Sequence, residues 1–587
     1  MRASSGIALA TLLLCAAPAS AQDFDRIAPR QPMARAPSSL APMPTIAAAP
    51  GIPASATLID SVRAIRLVSS AGDVVTNGST GHGILIQDLP FLDTPQIRAR
   101  LAPFLGQPLT GAELPQISAI VVGWYRSHNH PLVDVAFPEQ DLSTGVLQAV
   151  VTEFHVGRVH VAGNRWFNAG LVIDELGLGG GDTVDFGRLN SGLNTINRNP
   201  FRSVGITLRK SDAPGATDII LNVQDRFPLR LYTTTDNTGV PVTGRDRYAV
   251  GLNWGNVFGW DHQLSYQFIT SPDLWRTRDR GPGLSNAPRF TGHSFTYRAP
   301  LPWGDSLDLF GAYVAQVPDL GPDFGQVGHS LQFGGRYTMP LWSKGAVTQQ
   351  LQLGFDYKRA DSNLAFGGQN VFTSATNVEQ FLAIYDGTLS DRYGQTAVEN
   401  TLVYSPGALS RGNSTAVFQA SGVAGAHAGY VFDNAQLTRV TKLPWNASAV
   451  LRLTGQFAST ELMPSEQIGA GGLDSVRGYD ERAASGSDGY LASFELRSPP
   501  LSPLRHLIGA DDQGQLLAFF DYGAVSYKYV QSTSAPRTTE LQSAGAGVRY
   551  GVGRYLDVRF DYGWQLKRLP GAPHLGNLAT LSVTLGY

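Results

Sequence analysis

Leu331-Gln332-Phe333-Gly334-Gly335-Arg336-Tyr337-Thr338-Met339 alternates apolar or small residues with polar or small ones, and Leu351-Gln352-Leu353-Gly354-Phe355-Asp356-Tyr357 repeats the rule twenty positions later. Period two is the signature of a strand with one apolar face. The same alternation recurs outward from this stretch. Leu264, Tyr266 and Phe268 obey it, as do Leu307, Leu309, Gly311 and Tyr313. Leu451, Leu453, Gly455 and Phe457 follow, then Leu556, Val558, Phe560 and Tyr562. The apolar members are often aromatic, as in the girdles of barrels that span a membrane. A soluble sandwich would not need strands of about ten residues repeated over about 350 positions with so much glycine.

Composition agrees. Of 587 residues only 16% are charged, 65 are glycine and 10% are aromatic, whereas soluble proteins carry roughly a quarter charged residues. Mean hydropathy is −0.08, and beyond the first residues no run approaches the ~18 apolar residues of a membrane-crossing helix. A helical membrane protein, a highly charged disordered chain and a disulfide scaffold are thereby disfavoured. The net charge of −2 argues against a nucleic-acid-binding surface. A closed β-barrel passes this screen, because its apolar face is hidden by alternation. From residue 229 to 587, about 357 residues at ~22 per strand and connection give sixteen antiparallel strands. Counting strands one by one gives seventeen. Both ends of the barrel must face the same side, which needs an even number, so one strand between 379 and 443 is surplus. Sixteen strands leave an aqueous lumen.

Residues 1–21 read as a secretory signal: Arg2 is the positive start, Ile7 to Ala17 the apolar core, and Ala19-Ser20-Ala21 the cleavage site. The single cysteine, Cys15, lies inside it, so the mature chain is expected to hold no disulfide or thiolate chemistry. Residues 22–58 are rich in Pro and Ala and read as a linker or plug region with at most a short helix near Asp23 to Ile27.

Two mixed modules follow, 59–154 and 155–228. In the first, Ser61 to Ser69 reads as a strand and Thr94-Pro95 opens a helix that stops at Gly106. Thr110 and Glu113 have capping-box spacing, and Leu114, Ile117, Val121 and Trp124 share a helical face. Leu132 to Phe137 and Val146 to Phe154 close the unit. The second module repeats the order: a strand from Val156, a helix from Asn168 to Leu176, a helix bearing Leu189, Leu193 and Ile196, and two strands. Two consecutive β-α-α-β-β units form an architectural repeat. Such units expose a strand edge on which an extended polypeptide can dock.

One segment breaks the barrel rhythm. Residues 465–489 are too long for a tight hairpin and contain Val476-Arg477-Gly478-Tyr479. Farther on, Leu516, Ala518, Phe520 and Tyr522 make one wholly apolar strand face, which should meet lipid. Phe519, Asp521 and Gly523 on the other face then point into the lumen. An inward Asp521 and a loop Arg477 are expected to pair as a latch, and exchanging the two residues is expected to restore part of what either single change loses. The chain closes with Leu581-Ser582-Val583-Thr584-Leu585-Gly586-Tyr587, whose aromatic last residue resembles the terminal-strand signal read by the outer-membrane assembly machinery.

These residues carry a family resemblance. Val476-Arg477-Gly478-Tyr479 resembles the signature loop tetrad of the two-partner secretion transporters (TpsB type, the haemolysin secretion/activation family). Phe519-x-Asp521-x-Gly523 resembles the wall motif that meets it. Asp236-Asn237-x-Gly239 and Thr243-Gly244-Arg245 are similar to the barrel entrance of that family. Asn197-Arg198-Asn199-Pro200 with Pro214-Gly215 is similar to its second POTRA domain. The resemblance implies a membrane β-barrel of about sixteen strands in the bacterial outer membrane, preceded by two α+β POTRA domains in the periplasm. It implies capture of an unfolded, large secreted partner of TpsA type and its export through the pore. Arg477 paired with Asp521 would hold the loop inside.

The alternatives are a barrel-insertion factor like BamA or TamA, which carries three or more modules before its barrel, and a passive porin or receptor, which needs none. His128-x-His130 lacks further ligands and reads as solvated, so no metal is expected. Gly179-Gly180-Gly181 lacks the Lys-Ser/Thr of a phosphate loop. No G-x-S-x-G elbow occurs. The sequence implies neither a cofactor nor an enzyme, and its expected surroundings are outer-membrane lipid and, during insertion, the barrel assembly machinery.

Overall fold

The computed structural model describes residues 22–32, 55–130, 132–275, 287–320, 324–341, 346–366, 369–509, 511–529 and 536–587. The expected signal and most of the Pro/Ala-rich segment lie outside these residues. The described chain forms two units, one within residues 55–226 and one joining the N-terminal segment to Phe227–Tyr587.

The first unit holds both mixed modules. In the earlier one, Ala64–Val68 runs parallel to Val146–Glu153, which pairs antiparallel with Val133–Ala136. The sequence reading missed a strand here: Gly83–Gln87 pairs parallel with Ala64–Val68 and takes the edge of the sheet. Its five residues are too few to show a period, and a parallel partner leaves no hairpin turn to betray it. The helices Pro95–Leu101 and Glu113–Ser127 bury Ile97, Leu101, Ile117 and Val121 against the sheet. Thr94 caps the first, its hydroxyl accepting from the Ile97 N–H at 3.4 Å. The Thr110–Glu113 box forms only by half. The Glu113 carboxylate accepts the Thr110 N–H at 2.6 Å, but the Thr110 hydroxyl donates to that same carboxylate, and the helix begins two residues later than a full box would place it. These bonds, the side-chain one first, hold the Glu113 carboxyl below its ordinary pKa. On the same helix, burial pushes the Tyr125 hydroxyl up, and its bond to Glu153 adds to the rise.

The second module has a three-stranded sheet, with Ala216–Asp225 between His155–Ala162 and Arg202–Lys210. Helices Ala169–Leu176 and Phe186–Ile196 cover it. The motif at 197–200 is a folded corner: Asn197 brackets Val204 through its N–H at 2.7 Å and its carbonyl at 3.0 Å. Asn199 accepts from Phe201 N–H at 3.0 Å. Arg202 is buried beneath this corner, donating to Ile196 O at 2.9 Å and pairing with Glu175.

In the second unit, sixteen antiparallel strands close a barrel among the described residues. They are β1 (Leu229–Asp236), β2 (Arg247–Val257), β3 (His262–Thr270), β4 (Phe290–Pro300), β5 (Ser306–Gln316) and β6 (Phe324–Pro340). Next come β7 (Val347–Phe366), β8 (Gln369–Asp391), β9 (Gly394–Pro406), β10 (Gly429–Lys442) and β11 (Ser448–Ala458). The last five are β12 (Asp488–Arg497), β13 (Asp512–Ser526), β14 (Thr538–Val552), β15 (Leu556–Gln565) and β16 (Asn577–Gly586). The surplus strand of the sequence count is resolved between 379 and 443. There β8 is 23 residues long, and the stretch from 407 to 428, long enough for another strand, is a connection carrying a six-residue helix, Thr415–Ala420. Phe418 of that helix is fully buried among Val403, Tyr430 and Phe432.

Leu331, Phe333, Leu353 and Phe355 are 38–48% exposed on the outer face, while their polar neighbours Gln332 and Asp356 are buried inward. A six-residue helix, Gln22–Ile27, sits against the inner wall. Phe24 lies 4.6 Å from Phe310, ring to ring, and Ile27 is buried with Ala249, Ile269, Phe290 and Val314. After it, Arg30 N–H donates to the Tyr232 hydroxyl at 2.8 Å.

Candidate functional site

The connection between β11 and β12 folds back on itself through a short ribbon, Ile468–Ala470 against Ala484–Gly486, and carries the tetrad into the barrel. Val476, Arg477 and Tyr479 are all at most 3% exposed. Asp521, from β13, is completely buried and faces them. Arg477 grips it from three atoms: Nε to Oδ2 at 2.8 Å, Nη2 to Oδ1 at 2.7 Å, and the backbone N–H to Oδ2 at 3.1 Å. This is the paired, planar geometry for which a guanidinium is suited and an ammonium is not.

Each residue of the wall motif has a separate task. The Phe519 ring lies under the Arg477 guanidinium at 3.5 Å, a cation–π contact. Gly523 leaves room for Val476, because a Cβ there would stand 2.8 Å from Val476 Cγ2. Gly478 has φ +92° and packs on the backbone of Gly563 of β15. A Cβ on Gly563 would meet Gly478 N at 2.6 Å, so this is a close approach of two backbones. Tyr479 donates its hydroxyl to Lys567 O and lies 2.9 Å from Gln542 O, which fastens the loop to the end of β14 and the connection after β15.

Sequence reasoning reached Arg477 and Asp521 but missed two carboxylates. Arg477 Nη1 also donates to Glu495 at 2.7 Å and stands 3.5 Å from Asp561. Glu495 is shared with Arg497 and Arg452, at 2.5 and 3.2 Å. Asp561 is shared with Arg549 and Arg559, at 2.9 and 3.2 Å. Alternation does place Glu495 inward, opposite the lipid-facing Phe494 and Leu496. Its height beside Asp521 depends on the cross-strand register, in which Ser493 faces Asp521. Farther along the loop, Asp480 pairs with Arg245 of the entrance motif at 2.8 Å. Tyr587 is not part of this site. It is 83% exposed after β16, the strand that closes the ring against β1.

The sequence matches the family model described as haemolysin secretion/activation protein ShlB/FhaC/HecB over residues 215–550, more than half of the chain. The chain belongs to this family. A second model, POTRA domain, ShlB-type, matches residues 82–153, in the earlier module. Among curated relatives, the heme/hemopexin transporter protein HuxB of Haemophilus influenzae strain 86-028NP is 24% identical over 481 residues, 78% of each chain. The outer membrane transporter CdiB-2 of Burkholderia pseudomallei strain 1026b is 24% identical over 470 residues, 77% of this chain and 73% of its own. In fold, the chain is similar to CdiB from Escherichia coli, with a TM-score of 0.71 and 17% identity over 94% of both chains. CdiB from Acinetobacter baumannii gives a TM-score of 0.63 at 18% identity, over 96% of this chain and 95% of its own. The protein is therefore an outer-membrane transporter of two-partner secretion, with a sixteen-stranded barrel in the membrane and POTRA architecture on its periplasmic side.

Proposed function

We propose that this transporter captures an unfolded secreted partner on its two modules, passes it through the barrel, and keeps the pore's inner loop in place with an Arg477–Asp521 latch. The observation that carries the latch is the three-point grip on a fully buried carboxylate. A buried ion pair is costly to break, because the remaining charge is left without a partner. The edges Gly83–Gln87 and Arg202–Lys210, each paired on one side only within its sheet, support capture by strand addition. Tyr587 at the end of the closing strand supports recognition by the barrel assembly machinery, and the apolar outer face supports contact with outer-membrane lipid.

Deletion of residues 59–228 tests the capture step. The barrel should still reach the membrane, and export of the partner should stop. Normal export from that deletion would overturn it. An insertion factor would instead disturb many barrels when depleted, and a porin would disturb solute uptake.

A further inference from the structure

One row of the lumen wall breaks the polar rule of its inner face. Leu382 of β8 pairs with Val403 of β9, Val403 with Phe432 of β10, and Phe432 with Ala458 of β11. All four are buried, while their neighbours Phe381, Tyr404, Val431 and Phe457 are exposed on the lipid face, so the row points inward. β1 enters from the periplasmic side, so β9, like every odd-numbered strand, runs outward, and the row lies near the outer end of the pore. One step nearer the periplasm, the inward residues of β9, β10 and β11 are Thr401, Asn434 and Gln456. The inner face of a wide barrel is polar, and these four apolar residues form a patch at a single height within it.

The chain covers this patch with its own Phe418. That residue stands on the helix Thr415–Ala420, between β9 and β10, and is the helix's one buried residue. It shares a cluster with Leu382, Val403 and Phe432, and with Leu462 and Met463 of the fold-back loop. The polar ties of the helix stay within its own connection: Thr415 Oγ1 accepts the Ala428 N–H at 3.1 Å, and Gln419 Nε2 donates to Ala426 O at 3.3 Å. Phe418 is therefore its grip on the wall. Just before the helix, Asn413 is fully buried and its Oδ1 finds no donor among the described residues, a cost borne by the docked arrangement. The lumenal helix Gln22–Ile27 leaves this row alone. It sits on another arc of the wall, with the Phe24 N–H donating to Gln332 of β6 at 3.3 Å.

We propose that the Leu382–Val403–Phe432 row is a receiving site for large apolar side chains of the exported polypeptide, and that Phe418 holds it as a placeholder between transits. This rests on the reading of export through the barrel. The occupant fixes the chemistry: the row carries no charge and already accepts a phenyl ring. A short helix held to the wall through one apolar side chain is exchangeable for an equivalent side chain offered by an unfolded chain in the lumen, because apolar burial is not directional. At the outer end of the pore, each side chain seated in the row resists back-sliding of the emerging polypeptide.

The test is binding of a fluorescent synthetic peptide to the purified full-length protein, read by anisotropy. The peptide is an unstructured Gly/Ser/Asn chain with spaced Phe residues, and its control carries Ser in their place. No secreted partner is needed, so failure here is distinguishable from failure of the export reading. Heat-modifiable migration establishes that each variant barrel is folded. In the parent, the Phe peptide has to displace Phe418 and binds weakly. Phe418→Ser should tighten the Phe peptide by about ten- to a hundredfold, as expected for burial of one phenyl ring, and should leave the Ser peptide unchanged. Adding Val403→Thr, which keeps the shape of the row and makes it polar, should cancel most of that gain. The proposal is overturned if Phe418→Ser leaves the Phe peptide unchanged, if it tightens both peptides alike, or if the gain survives Val403→Thr.

Discussion

Replacing Arg477 with alanine should damage the transporter more than replacing Asp521 with asparagine, and combining them should be milder than the first alone. Three carboxylates face Arg477, but they depend on it unequally. Glu495 retains Arg497 and Arg452, and Asp561 retains Arg549 and Arg559. Asp521 retains only the Ser493 hydroxyl at 2.7 Å among the side-chain donors described here. Arg477→Ala therefore orphans one fully buried charge, at about 3–5 kcal/mol. That corresponds to roughly two to three and a half powers of ten in the ratio of docked to released loop. Asp521→Asn leaves the guanidinium with two carboxylates and an amide oxygen, a loss of about 1.5–3 kcal/mol, the worth of a charged hydrogen bond. In the double variant the orphaned charge is gone, so part of the loss returns. Tryptic cutting within 465–489 in the purified protein reads the released loop, and export of the partner reads its consequence. Equal damage from the two single changes, or a double variant as poor as their sum, would refute the reasoning. The same geometry corrects the expectation of rescue by exchange. An aspartate at position 477 would face Glu495 and Asp561, so the exchanged pair should remain inactive.

Further outcomes follow from the packing. Gly523→Val should expel the loop tip, since its first side-chain atom already falls 2.8 Å from Val476, and protease cutting of the loop should increase while the barrel stays folded. Tyr479→Phe should cost about 0.5–1.5 kcal/mol, the net worth of one hydrogen bond, because Lys567 O loses its hydroxyl donor while Gln542 O keeps the Leu566 N–H, visible as a lower protection of residues 566–570 in hydrogen exchange. Glu113 has a folded-state pKa below its unfolded value. Its contribution is therefore present above the unfolded pKa and lost as pH falls through the folded one. Exchange in the helix Glu113–Ser127 should quicken on acidification below about pH 4.5, and Glu113→Gln should flatten that dependence. Tyr125 is shifted the other way, so its share persists below about pH 10 and fades as pH rises beyond it. Tyr125→Phe should remove the alkaline limb.

The barrel was legible because alternation survives without knowledge of which strand pairs with which. Leu516, Ala518, Phe520 and Tyr522 could meet only lipid, and that alone turned Asp521 inward. Glu495 and Asp561 were hidden for the complementary reason. A period of two says which face a residue takes and nothing about its height, which is set by register across strands distant in sequence. The edge strand Gly83–Gln87 escaped because it pairs parallel with a partner that lies before it. The short lumenal helix was anticipated near Asp23 to Ile27, but its anchorage on Phe310 and Gln332 rests on contacts some three hundred residues away.

The seam between β1 and β16 has a kinetic meaning. Thr234 and Thr584 share a hydroxyl hydrogen bond across 350 positions of chain, and only five register pairs, Tyr232–Gly586 to Asp236–Ser582, join the two strands. Bringing the ends of so long a loop together costs about 5 kcal/mol in chain entropy before any neighbour contributes. The ring can therefore close only after the fifteen other strand pairings have drawn its ends together. The last ladder to be written in the sequence is also the last to form, and among the sixteen it has the least to lose on parting.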